Sequence, residues 1–239
     1  MTRLFFTWDD GHPDDLRLAA LHEKYGVPCM LFVPAANAEG RPVLTAGALR
    51  GICGGNVEAG AHTYRHRYLT ELQPGEVTAE LTDGKKYLED AIGSPVEHFC
   101  FPGGRYNRQI LRETLRIYKT ARTAEIMRTR HRFPLVDTTF HFFPRGWRSA
   151  LYHSCRNREG SLLRAALQSC GRRGYFEFME RYLTSAAEKG EEERDVIIWG
   201  HSWELTERRL WGQLERLLQL VSGSLRGCTA KYSQIYING

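Results

Sequence analysis

Thr7-Trp8-Asp9-Asp10-Gly11 is the stretch on which the reading of this chain turns. It follows Leu4-Phe5-Phe6, an apolar run that reads as a short buried strand, and Gly11 permits a sharp exit from it. Side chains alternate across a strand, so two adjacent carboxylates at its end point different ways. Asp9 and Asp10 are therefore expected to do different jobs, one on a metal ion and the other free to move a proton. A turn rich in Asp ahead of a helix looks the same locally. What separates the two readings is the set of residues that follows three later strands.

Working outward, Pro13 suits a first helical turn, and Leu18, Leu21 and Tyr25 form one apolar stripe that Gly26 ends. Residues 27–33 (VPCMLFV) are continuously apolar, the pattern of a strand covered on both faces. A helix around 45–51 leads to a strand at 56–61, and a long helix spans Pro74–Ile92 with Val77, Leu81, Leu88 and Ile92 on one face. Residues 97–101 read as a strand, Asn107 as the cap of a helix aligning Leu111, Leu115 and Tyr118, and 119–123 as a further strand. Residues 124–150, rich in Arg, Phe and His, read as a strand plus loops. Helices are expected at 161–170 and 175–187, an exposed acidic knot at 191–193, and a buried strand at 195–199 (DVIIW). Leu210, Leu214, Leu217 and Val221 mark a long helix, and 232–237 read as a closing β segment. Strand and helix alternate with no repeat or linker, which predicts one α/β domain over 1–239, a parallel sheet wrapped by helices.

The 239 residues are 42% hydrophobic and 26% charged, ordinary for a soluble globular protein. No apolar run has membrane-spanning length and no signal-peptide pattern precedes the first strand, so with Met1 as the start a cytoplasmic location is expected. Cys29, Cys53, Cys100, Cys155, Cys170 and Cys228 form no CxxC framework and read as reduced structural thiols. Charge is unevenly placed: residues 100–181 hold 17 Lys/Arg against 6 Asp/Glu, a net of +11, against −6 elsewhere. That bias favours an anionic partner, a nucleotide-linked or lipid-phosphate-linked molecule or an acidic membrane surface contacted peripherally. No nucleic-acid motif accompanies the charge.

In parallel α/β folds, functional groups gather at the C-terminal ends of the strands. Asp9-Asp10, His62/His66, Pro102-Gly103 and His201 each follow an expected strand. His62 and His66 stand four apart, so on a helical turn both imidazoles face one way and suit a single metal ion. With Asp10 they make a two-His, one-carboxylate set with an open position for water, a common arrangement for catalytic zinc that also fits iron(II), cobalt or nickel.

The succession TWDDG, HTYRH, FPGGRYN and IIWGHSWEL resembles the polysaccharide deacetylases, the NodB-homology domain of carbohydrate esterase family 4. The resemblance runs from Thr7 to His201 and implies a distorted (β/α) barrel of about seven strands. It implies that Asp10, His62 and His66 hold the metal, that Asp9 is the catalytic base, that the Gly103 N–H stabilises the oxyanion and that His201 protonates the departing amine. The implied reaction is metal-assisted removal of an N-acyl group, N-acetyl first, from an amino sugar. Trp147 and Trp203 are candidates for a sugar-stacking wall or for the core, and Tyr106 for a substrate contact.

Two departures stand out. Cys100 replaces the arginine that opens the family's third motif and pairs with the catalytic base; Arg105 and Arg145 are the candidates to supply that charge. The aspartate supporting the catalytic histidine has no clear match; Asp137 and Glu204 are the candidates. Related branches include deformylases of lipid-linked amino sugars and cyclic-amide hydrolases, and a catalytically silent carbohydrate-binding barrel is the alternative from another class.

Overall fold

The computed structural model of the chain describes residues 2–143, 147–158, 160, 162–163, 174–189 and 194–235. Most of the helix expected at 161–170, and the acidic knot at 191–193, lie outside them. The strands are β1 (Thr2–Asp9), β2 (Cys29–Val33), β3 (Val57–Ala61), β4 (His98–Cys100), β5 (Thr120–Arg122), β6 (Leu135–Val136), β7 (Phe140–His141) and β8 (Arg194–His201). The helices are α1 (Asp15–Tyr25), α2 (Ala46–Ile52), α3 (Pro74–Ile92), α4 (Arg108–Ile117), α5 (Trp147–Arg156), α6 (Tyr175–Lys189), α7 (Ser202–Glu207) and α8 (Trp211–Ser224). The eight strands form one parallel sheet in the order β6-β5-β4-β3-β2-β1-β8-β7, curled into a distorted (β/α) barrel. No helix among the described residues is long and apolar enough to cross a membrane.

Alternation along the strands sorts the core into two layers. Leu4, Phe6 and Trp8 of β1 pack outward beneath the helices, with Leu31, Ile198, Leu214, Leu217 and Val221 in the same cluster. Phe5, Met30, Phe32, Cys100, Val136 and Ile197 turn inward and fill the barrel. In β1 the inward set is Phe5, Thr7 and Asp9, so the last inward position of the strand is a carboxylate. Asp10, one residue on, adopts a positive φ of 76° and Gly11 one of 61°. A Cβ on Gly11 would lie 2.5 Å from Val33 Cγ1, so only glycine allows this exit from the strand.

Local chemistry explains the helices. Thr45 and Asn107 accept hydrogen bonds from Ala48 N (3.2 Å) and Ile110 N (2.9 Å) as N-caps of α2 and α4. In α3, Val77, Leu81 and Leu88 are buried as expected. The buried face of α4 is Ile110 and Thr114, with Leu111 and Leu115 only partly covered, a rotation of one residue from the stripe the sequence suggests. Within 124–150 the sheet gains two strands, β6 and β7, each of two residues, too short for any periodicity to register. Residues 232–237 are not a closing strand: Tyr232–Gln234 is a 3₁₀ turn, and 236–237 lie outside the described residues. The ring of Tyr232 enters the barrel interior, packing edge-on to Phe5, Phe32 and His98 with centroids 6.2, 5.6 and 5.2 Å away. Plugging the barrel with an aromatic side chain wins over extending a sheet.

The indole of Trp8 needs a partner in this apolar layer, and His22 of α1 supplies it. Trp8 Nε1 donates to His22 Nε2 at 3.1 Å, while His22 Nδ1 lies 2.9 Å from the Val27 carbonyl. His22 is thus neutral with its proton on Nδ1, and burial pushes its pKa down to about 4. Because the folded value lies below the unfolded one, the unfolded chain takes up a proton between about pH 6.5 and 4 that the folded chain refuses. Wild type should therefore lose thermal stability relative to His22→Gln as pH falls through that window. A constant difference in Tm from pH 7 to 4 would show that His22 does not titrate on unfolding.

Candidate active site

Four strand ends converge on one rim. Asp9 and His201 are paired neighbours in the β1–β8 register, and β3 delivers the loop carrying His62 and His66. Asp10 Oδ1 lies 3.1 Å from His66 Nε2 and 3.6 Å from His62 Nε2. All three residues are buried. His62 Nδ1 hydrogen-bonds the Cys100 carbonyl at 2.8 Å, which places the proton there and leaves Nε2 bare. A bare imidazole nitrogen facing a carboxylate oxygen sets lone pair against lone pair, an arrangement that calls for a cation between them. The donor set is oxygen and nitrogen, right for zinc and its neighbours. The other oxygen of Asp10 is capped by Trp203, whose Nε1 donates to Oδ2 at 2.9 Å.

The histidine pair is not helical. Thr63 and His66 adopt positive φ angles of 63° and 55°, and the rings stand 4.9 Å apart at 52° because the loop folds back on itself. With Asp10, three non-glycine residues at this rim hold left-handed backbone, at about 1–3 kcal/mol each. The surroundings over-determine the loop. Buried Glu80 of α3 accepts from Tyr64 N (3.0 Å) and Arg65 N (2.8 Å) through one oxygen, and the Tyr64 carbonyl accepts from Ala35 N and Ala36 N. Gly84, one turn on, lets α3 approach: a Cβ there would lie 2.9 Å from the Thr63 carbonyl carbon.

Asp9 faces inward against Arg122 of β5. The guanidinium Nη2 of Arg122, fully buried, bonds both oxygens of Asp9 and lies 2.8 Å from Cys100 Sγ. Cys100 and Arg122 are register partners on adjacent strands. The charge absent from position 100 therefore arrives from the neighbouring strand. Of the two sequence candidates, Arg105 bonds Glu71 at 3.0 Å on the surface instead, and Arg145 lies outside the described residues. Arg122 escaped the sequence reading because, in a three-residue strand, one arginine looks like any surface cation; its facing Cys100 in register was the available signal.

Glu204 is the carboxylate that reaches His201: its Oε2 lies 2.9 Å from His201 Nδ1 and 3.1 Å from His141 Nε2. Asp137 does not; it is fully buried with Thr123 at 2.8 Å and Arg132 at 3.1 Å. Burial would raise the pKa of Glu204, but bonds from His141 and His201 hold it at about 2. Burial would lower that of His201, and the bond to Glu204 with the charges of Asp10 and Asp9 raises it. His201 Nε2 is 3.9 Å from Asp10 Oδ2. Gly103 lies in the turn Pro102–Gly104 against Tyr68, whose ring centroid is 6.5 Å from that of His66. Tyr106 stacks on Phe101 at 5.0 Å. Trp203 carries the Arg41 guanidinium on its ring, 3.7 Å from the centroid. Trp147 opens α5, and its side chain is outside what is described.

The fold and this rim define a class: a distorted parallel (β/α) barrel with a two-His, one-Asp cluster between a buried carboxylate and a carboxylate-backed histidine. The polysaccharide deacetylase family model matches residues 2–119. The chain is 26% identical over 110 residues to YxkH of Bacillus subtilis, a protein named for the same family; the match covers 46% of this chain and 39% of that one. It therefore spans well under half the length of that relative. Among solved structures, the Xyl-CE4 domain of a multidomain xylanase from the hindgut metagenome of Trinervitermes trinervoides aligns over 99% of this chain and 91% of its own at TM-score 0.59 and 14% identity. A family 4 acetyl xylan esterase from Clostridium thermocellum, in complex with a cobalt ion, aligns over 98% and 91% at TM-score 0.56 and 14% identity. At these identities the structural likeness establishes the fold, that of carbohydrate esterase family 4.

Two outcomes follow from the site. Arg122→Met should cost about 3–5 kcal/mol in denaturant unfolding by stranding the Asp9 carboxylate, and adding Asp9→Asn should recover part of the loss. Strict additivity of the two changes would remove the pair as a unit. Glu80→Ala, which removes the acceptor, should weaken zinc binding about tenfold or more in calorimetry, since outer partners hold ligands in place; unchanged affinity would mean that the loop holds itself.

Proposed function

We propose that this protein is a metal-dependent hydrolase that removes an N-acyl group, N-acetyl first, from an amino sugar or a sugar-containing precursor. The observation that carries the reading is the convergence of Asp10, His62 and His66 on one point, with Asp9 on one flank and His201 on the other. The family match and the fold support it.

Asp10, His62 and His66 would hold one divalent ion, zinc first, with cobalt, nickel or iron(II) compatible with the same donors. Such an ion, when bound, acts as a Lewis acid on the amide carbonyl and makes water a nucleophile near neutral pH. The chain supplies the rest. Asp9 takes the proton of the attacking water, and Arg122 holds that carboxylate in place through both of its oxygens. The Gly103 N–H donates to the negative charge that develops on the amide oxygen. His201, with Nδ1 tied to Glu204, delivers a proton from Nε2 to the amine nitrogen as the C–N bond breaks. Without that proton the leaving group would be an amide anion, and the reaction would stall.

An anionic handle on the substrate is part of the proposal. Arg41 over Trp203 and Arg105 over Tyr68, 3.7 and 4.2 Å from the ring centroids, place two partly exposed guanidinium groups, paired on the surface with Glu207 (3.8 Å) and Glu71 (3.0 Å), beside aromatic neighbours of the metal cluster. A nucleotide- or lipid-phosphate-linked amino sugar fits them better than a neutral glycan does.

The test is carboxylate release by zinc-loaded protein offered chitooligosaccharides, nucleotide-linked N-acetylhexosamines and N-formyl amino sugars. Acetate release is expected, strongest on the phosphate-bearing substrates, abolished by chelation and by Asp9→Asn. Zinc should bind one to one, and His62→Ala or His66→Ala should lose it. Formate alone would move the assignment to a deformylase. Bound zinc with no release from any substrate would sink the amino-sugar reading.

A further inference from the structure

His141 belongs to no motif that the sequence singles out, yet it is built into the site with care. It ends β7, paired with Trp199 of β8, and is buried. Its ring lies parallel between two aromatic rings, 4.1 Å and 13° from Trp199 and 5.5 Å and 13° from Phe143. That sandwich fixes the plane of the imidazole, and in that plane Nε2 meets Glu204 Oε2 at 3.1 Å. The same oxygen takes His201 Nδ1 at 2.9 Å. Two histidines thus close on one carboxylate oxygen, one from each of two neighbouring strands.

We propose that His141 is a positioning residue for proton delivery: it holds Glu204 in the orientation in which Glu204 holds His201 with Nε2 turned towards the reacting bond. Glu204 lies in the first turn of α7, three residues after His201, and a flexible side chain bonded only to His201 would swing with it. A second donor, anchored in a different strand and locked between rings, removes that freedom. The ionised state of Glu204, kept by both histidines, lets it accept both bonds at once. The competing account is that His141 is a packing residue in an aromatic stack, and that its bond to Glu204 is incidental.

The inference rests on the reading that His201 protonates the leaving amine, and the experiment separates the two. His141→Phe keeps a flat ring between Trp199 and Phe143 and removes the donor. His141→Gln keeps an N–H donor and loses the ring. Each is assayed, as zinc-loaded protein beside wild type and His201→Asn, on the preferred N-acetyl substrate and on para-nitrophenyl acetate, whose leaving group departs without a proton. With His141→Phe, kcat on the amide should fall about 10–100-fold, a part of what a general acid contributes, with KM and the ester rate nearly unchanged. His141→Gln should recover part of the amide rate. Equal loss on amide and ester, or full amide activity in His141→Phe while His201→Asn is amide-selective, would overturn the role of His141 alone. A His201→Asn variant impaired equally on both substrates would overturn the general-acid reading and this inference with it.

Discussion

A carboxylate inside a barrel is the constraint around which the rest is arranged. The alternation that turns Phe5 and Thr7 inward also turns Asp9 inward, where water cannot solvate it. A buried charge needs a partner of opposite sign with matched hydrogen bonds, and Arg122 fills the space beside it. Its guanidinium is flanked by the rings of Phe32 and Trp199, at 5.1 and 5.3 Å from their centroids, so the cation has attractive contacts on more than one side. Cys100, small and polarizable, leaves the room that an arginine of its own would have filled. The pair orients Asp9 without help from solvent.

The same logic repeats outward from the rim. Each polar group that chemistry would use is held by a second group whose only evident task is to hold it. The Cys100 carbonyl sets the tautomer of His62, Trp203 caps the spare oxygen of Asp10, Glu80 ties down the loop of His66, and Glu204 backs His201. The left-handed backbone at Asp10, Thr63 and His66 persists because these contacts and the close approach of α3 at Gly84 leave the loop no lower-energy alternative. Geometry of this kind is distributed over β1, β3, β4, β5, β7, β8, α3 and α7, none of which is close to all the others in sequence.

Much of the fold was legible residue by residue. The run at 27–33 announced a covered strand, Asn107 and Thr45 announced helix starts, and the stripe Val77, Leu81, Leu88 announced α3 with its termini. These are local signals with a period or a cap behind them. What failed lacked one. β6 and β7 carry two residues each, below the length at which alternation exists. Tyr232 reads as β-forming because its chain neighbours do, and its place in the barrel interior is set by Phe5, Phe32 and His98, remote in sequence. The four-residue spacing of His62 and His66 fits a helical turn, yet their loop reaches the same juxtaposition through positive φ angles.

By itself, then, the sequence determined the alternation of strands and helices, the different facing of two adjacent aspartates, and the motifs that arrive at one rim. Those follow from chain-local physics: period, capping, and the rule that neighbouring strand residues face apart. Only the tertiary structure decided which arginine meets Asp9, which carboxylate meets His201, and that a second histidine shares it. Such choices depend on strand register and on which side chains the curled sheet brings face to face, and these are properties of pairs far apart along the chain. A single arginine at position 122 or histidine at position 141 carries no mark of its role until the barrel closes around it.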